Sequence, residues 1–438
     1  MTQNGRSDWS ALAIQTGEQT FGLRSRRKTV EDLLLVGQPA IKSGPHLIWN
    51  GCQVLNVFAL KICEAGLSKN PIYVARPMVP EIEDFISVLS PALQNRRLTN
   101  GGPISADLEL RLSEMLRVPH VNLTSNGTVA IEIAAKAVGF SNKVITTPFT
   151  FAATVGALIW MGLDPVLVDI DEDYLTIDPE SVAGAIDDDV GGILGVHVYG
   201  CPCDVDALGQ IAESAGIPIV YDGAHVFDAT YKERSIVSYG DATTMSFHAT
   251  KQFNTGEGGA IVTRSSEINS KVNIIKNFGI ESEDVISDIG TNGKMSEINA
   301  AFGLANLNVL FEEKLRRSRV SSIYTEELSG HKDIRIVPQR LTTKASTNYY
   351  AIRLPVRNGV PLRNKVYLEL REQGIYTRKY FYPLLSDVQS YRKHMSQKEF
   401  KIPNAIRAAQ EVLALPLHGG VSDENALMIC EALKKAIA

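Results

Sequence analysis

Cysteine is scarce: Cys52, Cys63, Cys201, Cys203 and Cys430 are scattered through 438 residues, too few and too irregular for a disulfide framework. Long apolar runs are missing as well. The best stretch, residues 47–65, is broken by Asn50, Gln53, Asn56, Lys61 and Glu64 and falls short of a membrane span. Positive charge is not in excess, the formal net charge being −5, so the strongly basic footprint of a nucleic-acid binder is absent. Met1 to Trp9 runs polar, without the basic-then-apolar order of a secretory signal. There is no fixed-period repeat and no low-complexity tract. These absences predict a reduced, soluble, cytoplasmic protein with neither membrane nor nucleic acid as partner. What is present fits a globular enzyme-sized chain. Hydrophobic residues at 44% and charged residues at 21% exclude disorder as the dominant state. The length calls for two or more packed units.

The first seventy residues hold the basic run Arg24-Ser25-Arg26-Arg27-Lys28, followed by Thr29 to Asp32 at the spacing of a helix N-cap. From Val121 onward short apolar runs alternate with helical periodicity. Residues 144–147, 165–170, 193–198, 217–221, 243–247 and 260–263 are rich in β-branched side chains, are bounded by Gly, Pro, Asp or Asn, and read as buried strands. Helices are expected between them, at 131–138 and 205–215 among others. This α/β alternation predicts a mostly parallel sheet covered on both faces, with ligands at the carboxyl ends of its strands. A long helix is expected over 295–315. A smaller α/β pattern then follows, with strand 350–354, helix 362–372, strand 381–384 and helices 404–413 and 422–436.

Several well-known motifs fail on spacing. The TNGKMS segment around Lys294 has Asp288 and Met295 where a phosphate-binding loop needs Gly and Ser or Thr. No G-x-G-x-x-G opens a helix and no G-x-S-x-G occurs. His197, Cys201 and Cys203 lack the second ligand pair of a zinc site. Three other segments carry chemistry. In VNLTSNGTVAIEIA, Gly127 and Thr128 open a helix whose free amides suit an anion or merely form an ordinary cap. In IVYDGAHVF, Asp222 ends an apolar strand where it could hold a protonated ring nitrogen, an ion or a neighbouring loop. His225 lies three residues on. In TTMSFHATKQFNTGEGGAIVT, Ser246 closes a strand and Lys251 sits in a buried turn. Desolvation there would leave a neutral amine able to form a Schiff base, and a pairing with Glu257 is equally open.

In this order the segments resemble the DegT/StrS family of nucleotide-sugar aminotransferases, which are fold-type I pyridoxal phosphate enzymes. The likeness runs from Ile72 to the C-terminus. It includes IYVARPMVPEIEDF, RRLTNGGP, TPFTFAATVGALIWMGLDPVLVDID, GVHVYGCPCDVDAL, GTNGKMSEINAAFGLANL, GIYTRKYFYPL and VLALPLH. It implies an extension over 1–71, a large cofactor domain with a seven-stranded sheet over 72–318 and a small α/β domain over 319–438. It also implies that Lys251 carries the cofactor, that Asp222 pairs with its ring nitrogen, and that His225 lies by the ring while Phe151 stacks on it. Gly127, Thr128 and Ser246 would hold the phosphate, with Asn292 reaching the phosphate of a second subunit in a homodimer with shared sites. Relatives that replace this lysine with histidine are dehydratases, a change this chain lacks. The implied reaction moves an amino group from an amino acid, L-glutamate in first place, to a keto-sugar nucleotide. NGKMSE and YTRKYFYPL look like the branch that makes dTDP-4-amino-4,6-dideoxyglucose, with Thr99, Arg378 and Tyr382 as substrate residues. Amination at carbon 3 of another nucleotide sugar, or a binder without turnover, are the alternatives. No metal is implied.

Overall fold

The computed structural model describes residues 71–340, 343–344 and 346–438. The expected cap at Thr29 and the rest of the extension lie outside them. Seven strands form the central sheet: β1 (His120–Thr124), β2 (Ser141–Thr146), β3 (Asp164–Leu167), β4 (Val190–Val196), β5 (Ile219–Asp222), β6 (Ala242–Ser246) and β7 (Gly259–Thr263). Their spatial order is β1-β7-β6-β5-β4-β2-β3. β7 runs antiparallel to both neighbours, and every other contact is parallel.

Adjacent residues of each strand go to opposite faces. Ile145, Ile193, Tyr221 and Val262 join one apolar cluster, whereas Val144, Leu194, Val220 and Ile261 join the other. Continuous apolar runs are what a sheet buried on both faces requires. The flanking helices are α1 (Ile82–Gln94), α2 (Pro103–Leu116), α3 (Gly127–Val138), α4 (Ala152–Trp160), α5 (Val205–Ala215) and α6 (Ser266–Ile275). Among the described residues no helix is long and apolar enough to cross a membrane.

A long helix, α7 (Glu297–Leu328), leaves the first core and ends in another. That second core gathers Tyr324, Ile352, Leu370, Leu413, Ile429 and Leu433. It is built on β8 (Tyr350–Arg353), paired antiparallel with β9 (Val412–Leu415), and on α8 (Leu362–Glu372) and α10 (Asp423–Ile437), with α9 (Pro403–Glu411) nearby. The chain near Ile72–Tyr73 pairs in parallel with Ile375–Tyr376.

Three expectations need correction. The long helix does not stop at 315 but continues to Leu328. Its apolar stripe is interrupted by Glu312 to Arg319, yet Arg317 is fully buried there because Glu313, one turn earlier, accepts from its Nε at 2.6 Å. Residues 381–384 form no strand. They are a loop, anchored by the buried side chains of Phe381 and Leu384. The helix expected over 404–413 ends at Glu411, and Val412–Leu415 is a strand whose partner β8 lies some sixty residues away in sequence.

Candidate active site

The carboxyl ends of β1, β2, β5 and β6 open on one cavity of about 660 Å³. The sequence-predicted residues Gly127, Thr128, Phe151, Asp222, His225, Ser246, Lys251 and Arg378 all line it. Tyr382 lines an adjoining cavity of about 510 Å³, whose wall includes Thr150, Phe151, Arg378, Tyr380 and Phe381 in common with the first. Thr99 and Asn292 line neither; both are exposed elsewhere on this chain.

At one end of the cavity, Asn126 caps α3 by accepting from the Val129 amide at 2.9 Å. The amides of Gly127 and Thr128 belong to the first turn, where no intrahelical carbonyl is available. They face the cavity at the positive end of the helix dipole. Gly127 is forced by sterics: a Cβ there would stand 2.9 Å from that of Ser246. The result is a cradle of amides beside a hydroxyl, sized for an anion with several oxygens.

At the cavity floor Asp222 is the last residue of β5 and is buried. Its Oδ2 accepts from the Thr154 hydroxyl at 2.7 Å and its Oδ1 from the Ala224 amide at 3.1 Å. Thr154 also contacts the Thr150 hydroxyl at 2.7 Å. Burial pushes the Asp222 carboxyl above its usual range, against the opposing pull of these two donors and of Lys251. A cation placed against it would draw the pKa back down and favour the ionised form. His225 is buried, parallel to Phe381 at 5.8 Å, and accepts a long 3.4 Å hydrogen bond from the Tyr199 amide. Burial, then the nearby Lys251 charge, holds it well below an ordinary histidine, so it is a neutral ring.

Lys251 follows β6 through a tight turn in which its amide donates to the His248 carbonyl at 2.8 Å. Its Nζ donates to the Tyr349 hydroxyl at 3.4 Å. Glu257 does not pair with it; that side chain is mostly exposed and lies 3.7 Å from His248. Burial lowers the Lys251 amine to about 8, with Asp222 and Tyr380 acting against the shift. A good share of the amine is therefore neutral, and nucleophilic, near physiological pH. His197 lines the same cavity, but its Nδ1 is taken by the Cys203 amide at 3.0 Å and its ring stacks on Tyr221.

Sequence reading missed the roof. Tyr349, Tyr380 and Phe381 enter from the C-terminal part of the chain and close the cavity over Lys251 and His225. The aromatic run Tyr380-Phe381-Tyr382 was visible, but the pairing of Tyr349 with Lys251 spans 98 residues and has no local trace. Thr154 was hidden in the same way, 68 residues from the carboxylate it serves.

A desolvated amine, a buried acid and a helix end with free amides thus share one cavity at the sheet's carboxyl edge. Residues 80–434 match the DegT/DnrJ/EryC1/StrS aminotransferase family. The dTDP-4-amino-4,6-dideoxy-D-glucose transaminase of Shigella dysenteriae is 40% identical over 357 residues, spanning 81% of this chain and 96% of that protein. Its Escherichia coli counterpart is 36% identical over 372 residues, 84% and 99% of the two chains. The crystal structure of DesI in the presence of its TDP-sugar product superposes with a TM-score of 0.80 at 32% identity, covering 85% of this chain and 94% of that one. The family match spans most of the chain and the identities hold over nearly the whole of each relative: this chain belongs to the DegT/DnrJ/EryC1/StrS family of aminotransferases.

Proposed function

We propose that the protein is a pyridoxal phosphate-dependent aminotransferase that takes an amino group from L-glutamate and delivers it to carbon 4 of dTDP-4-keto-6-deoxy-D-glucose, giving dTDP-4-amino-4,6-dideoxy-D-glucose. The observation that carries this reading is Lys251, a desolvated amine in one cavity with Asp222 and the α3 cradle, in a chain 40% identical to a transaminase of that name.

The residues fit pyridoxal phosphate. The Gly127 and Thr128 amides and Ser246 would hold the phosphate, Asp222 the ring nitrogen, and Lys251 the aldehyde carbon. Phe151, 60% exposed at the rim, offers a face for the ring. When bound, the cofactor supplies an electron sink for the carbanion that proton removal creates. The chain's own part is to keep that sink charged and to move protons. The Asp222 carboxylate would face the ring nitrogen and favour its protonated form. The Lys251 amine would act as base and then acid, taking the proton from the donor's α-carbon and returning one on the same face. The same exchange in reverse places the amino group on the keto-sugar. His225, neutral and in the same cavity, would not compete for that proton. The roof residues Tyr349, Tyr380 and Phe381 keep water from the reacting atoms.

For the nucleotide end, Arg378 and Lys379 stand at the second cavity with Tyr367, Tyr382 and Tyr391. Two cations among aromatic faces suit a diphosphate attached to a base. Thr99 and Asn292 are exposed here, which accords with a homodimer in which each chain lends residues to its partner's site. We assign the extension to 1–71, the cofactor domain to 72–318 and the small domain to 319–438, in a cytoplasmic enzyme.

The test is a two-step assay. Purified protein with pyridoxal phosphate is mixed with L-glutamate, and 2-oxoglutarate and the cofactor's visible band are followed; dTDP-4-keto-6-deoxyglucose is then added and the product's amino carbon is located by NMR. The 4-amino sugar is expected, with Lys251→Ala reducing turnover by about 10⁴-fold or more. A 3-amino product would overturn the regiochemistry. A band that forms and ignores glutamate would overturn turnover with this donor.

A further inference from the structure

The small-domain strap that carries Tyr349 is held more firmly than a roof made only to exclude water would need. Asn348 accepts from the Gln252 amide at 3.0 Å and donates to the Ala224 carbonyl at 3.3 Å, so one side chain ties the lysine turn to the turn of His225. Ser346 donates to the Gln252 side-chain oxygen at 2.8 Å. From below, the buried Arg317 guanidinium reaches the Thr347 carbonyl at 3.4 Å and the Leu417 carbonyl at 3.1 Å. Tyr349 itself is wedged between His225 at 4.5 Å and the edge of Tyr380 at 5.5 Å. Packed between these two rings, it holds its hydroxyl where the strap places it.

That hydroxyl points at the one group in the site that must be mobile. A lysine amine on a four-carbon stem loses considerable rotamer freedom when fixed at one place. Lys251 Nζ lies 3.4 Å from Tyr349 Oη and 5.4 Å from the ring centre, so both oxygen and π-face attract its charged form. We propose that Tyr349 is the positioning residue of Lys251, its hydroxyl accepting from the free amine and parking it at the spot from which it exchanges protons. The inference rests on the reading of Lys251 as the reactive amine and adds what aims it. The charged and titratable groups around that amine are Asp222 and His225 from the β5 turn, Tyr380 and Arg378 from the roof loop, and Tyr349 from the strap, with Arg317 beneath it. Of these, Tyr349 alone has an oxygen within hydrogen-bond reach of Nζ among the described residues.

Tyr349→Phe keeps the wedge and removes only the oxygen. In cofactor-free protein, competitive labelling of Lys251 with acetic anhydride between pH 6 and 10, read by mass spectrometry, gives the amine's midpoint directly. Wild type is expected near 8. Loss of an acceptor for the charged form should move the Tyr349→Phe midpoint down by about one pH unit. In the loaded enzyme kcat should fall about tenfold with the donor KM little changed. A midpoint that stays in place would overturn the proposal. Should Tyr349→Phe not fold, wild-type protein labelled with ¹³Cζ-tyrosine provides the second measurement. A tyrosine signal titrating with the Lys251 midpoint and ceasing to do so in Lys251→Met is expected, and no such signal in the wild type overturns the idea. Neither measurement uses the cofactor, so a failure of pyridoxal phosphate to react with Lys251 would strike the proposed activity and leave this comparison readable.

Discussion

Two aspartates of almost equal burial, Asp169 at 6% exposure and Asp222 at 7%, show how differently one fold can use a carboxylate. Asp169 follows β3 and is spent entirely inside the protein. Its two oxygens accept from the Asn404 and Ala405 amides at 3.0 and 2.9 Å, filling the N-terminus of α9. Asp222 ends β5 with the same number of donors, a hydroxyl and one amide, but it opens on the cavity and burial raises its pKa. The helix termini differ in the same sense. α9 has a carboxylate built in, whereas α3 has only the neutral Asn126 cap and two first-turn amides turned to the cavity. A site is thus marked less by burial than by what the fold turns toward a shared cavity: an acid that a cation would suit and a helix end that an anion would suit.

Asp222→Asn attacks this contrast hardest. Turnover should fall about 10³-fold, because a neutral amide does not keep the ring nitrogen protonated. Stability of the cofactor-free protein should move the other way. An acid with a raised folded-state pKa contributes stability at low pH that is lost as pH rises through that value, so removing its charge should help. The variant should melt at or above the wild-type temperature, the gap opening as pH rises from the ordinary carboxylate range through the raised folded-state pKa and then levelling in calorimetry; a lower melting temperature at pH 8 would break the contrast. Gly127→Ala tests the open helix end. The added methyl meets Ser246 at 2.9 Å. Affinity for pyridoxal phosphate, measured by fluorescence titration, should weaken about 10- to 100-fold, while unchanged affinity would remove the cradle from the argument. Asp169→Asn should have the smallest effect on chemistry. It exchanges two charge-assisted bonds for weaker ones, so about 1–2 kcal/mol of unfolding free energy should disappear in denaturant titration with kcat intact at 20 °C. A large loss of kcat would place Asp169 in the site after all.

How far the sequence reached follows from where each signal lies. Asp222 and Lys251 were legible because each interrupts or follows an apolar strand with a residue that such a place normally excludes. The sheet was legible because β-branched runs recur with turn residues between them, and its expected strands fall within a few residues of those observed. Contacts between distant segments left no mark. Tyr349, Thr154 and Asn348 are polar or aromatic residues in unremarkable surroundings until the fold brings their partners to them. Local periodicity also misled in its own way: α9 runs directly into β9 without a Gly or Pro between, so the strand was absorbed into the helix.

The long helix α7 acts as a ruler. At its first turn Glu297 accepts from the amides of Ile104 and Ser105, at 2.9 and 3.2 Å. About 30 Å further along, Arg317 grips the strap that aims Tyr349. A single residue inserted between these marks would carry Arg317 round the helix axis by about 100° and forward by about 1.5 Å. Lys251 would then lose its alignment although nothing within reach of it had changed. The number of residues between Glu297 and Arg317 is thus as much a part of the site as the side chains that line it.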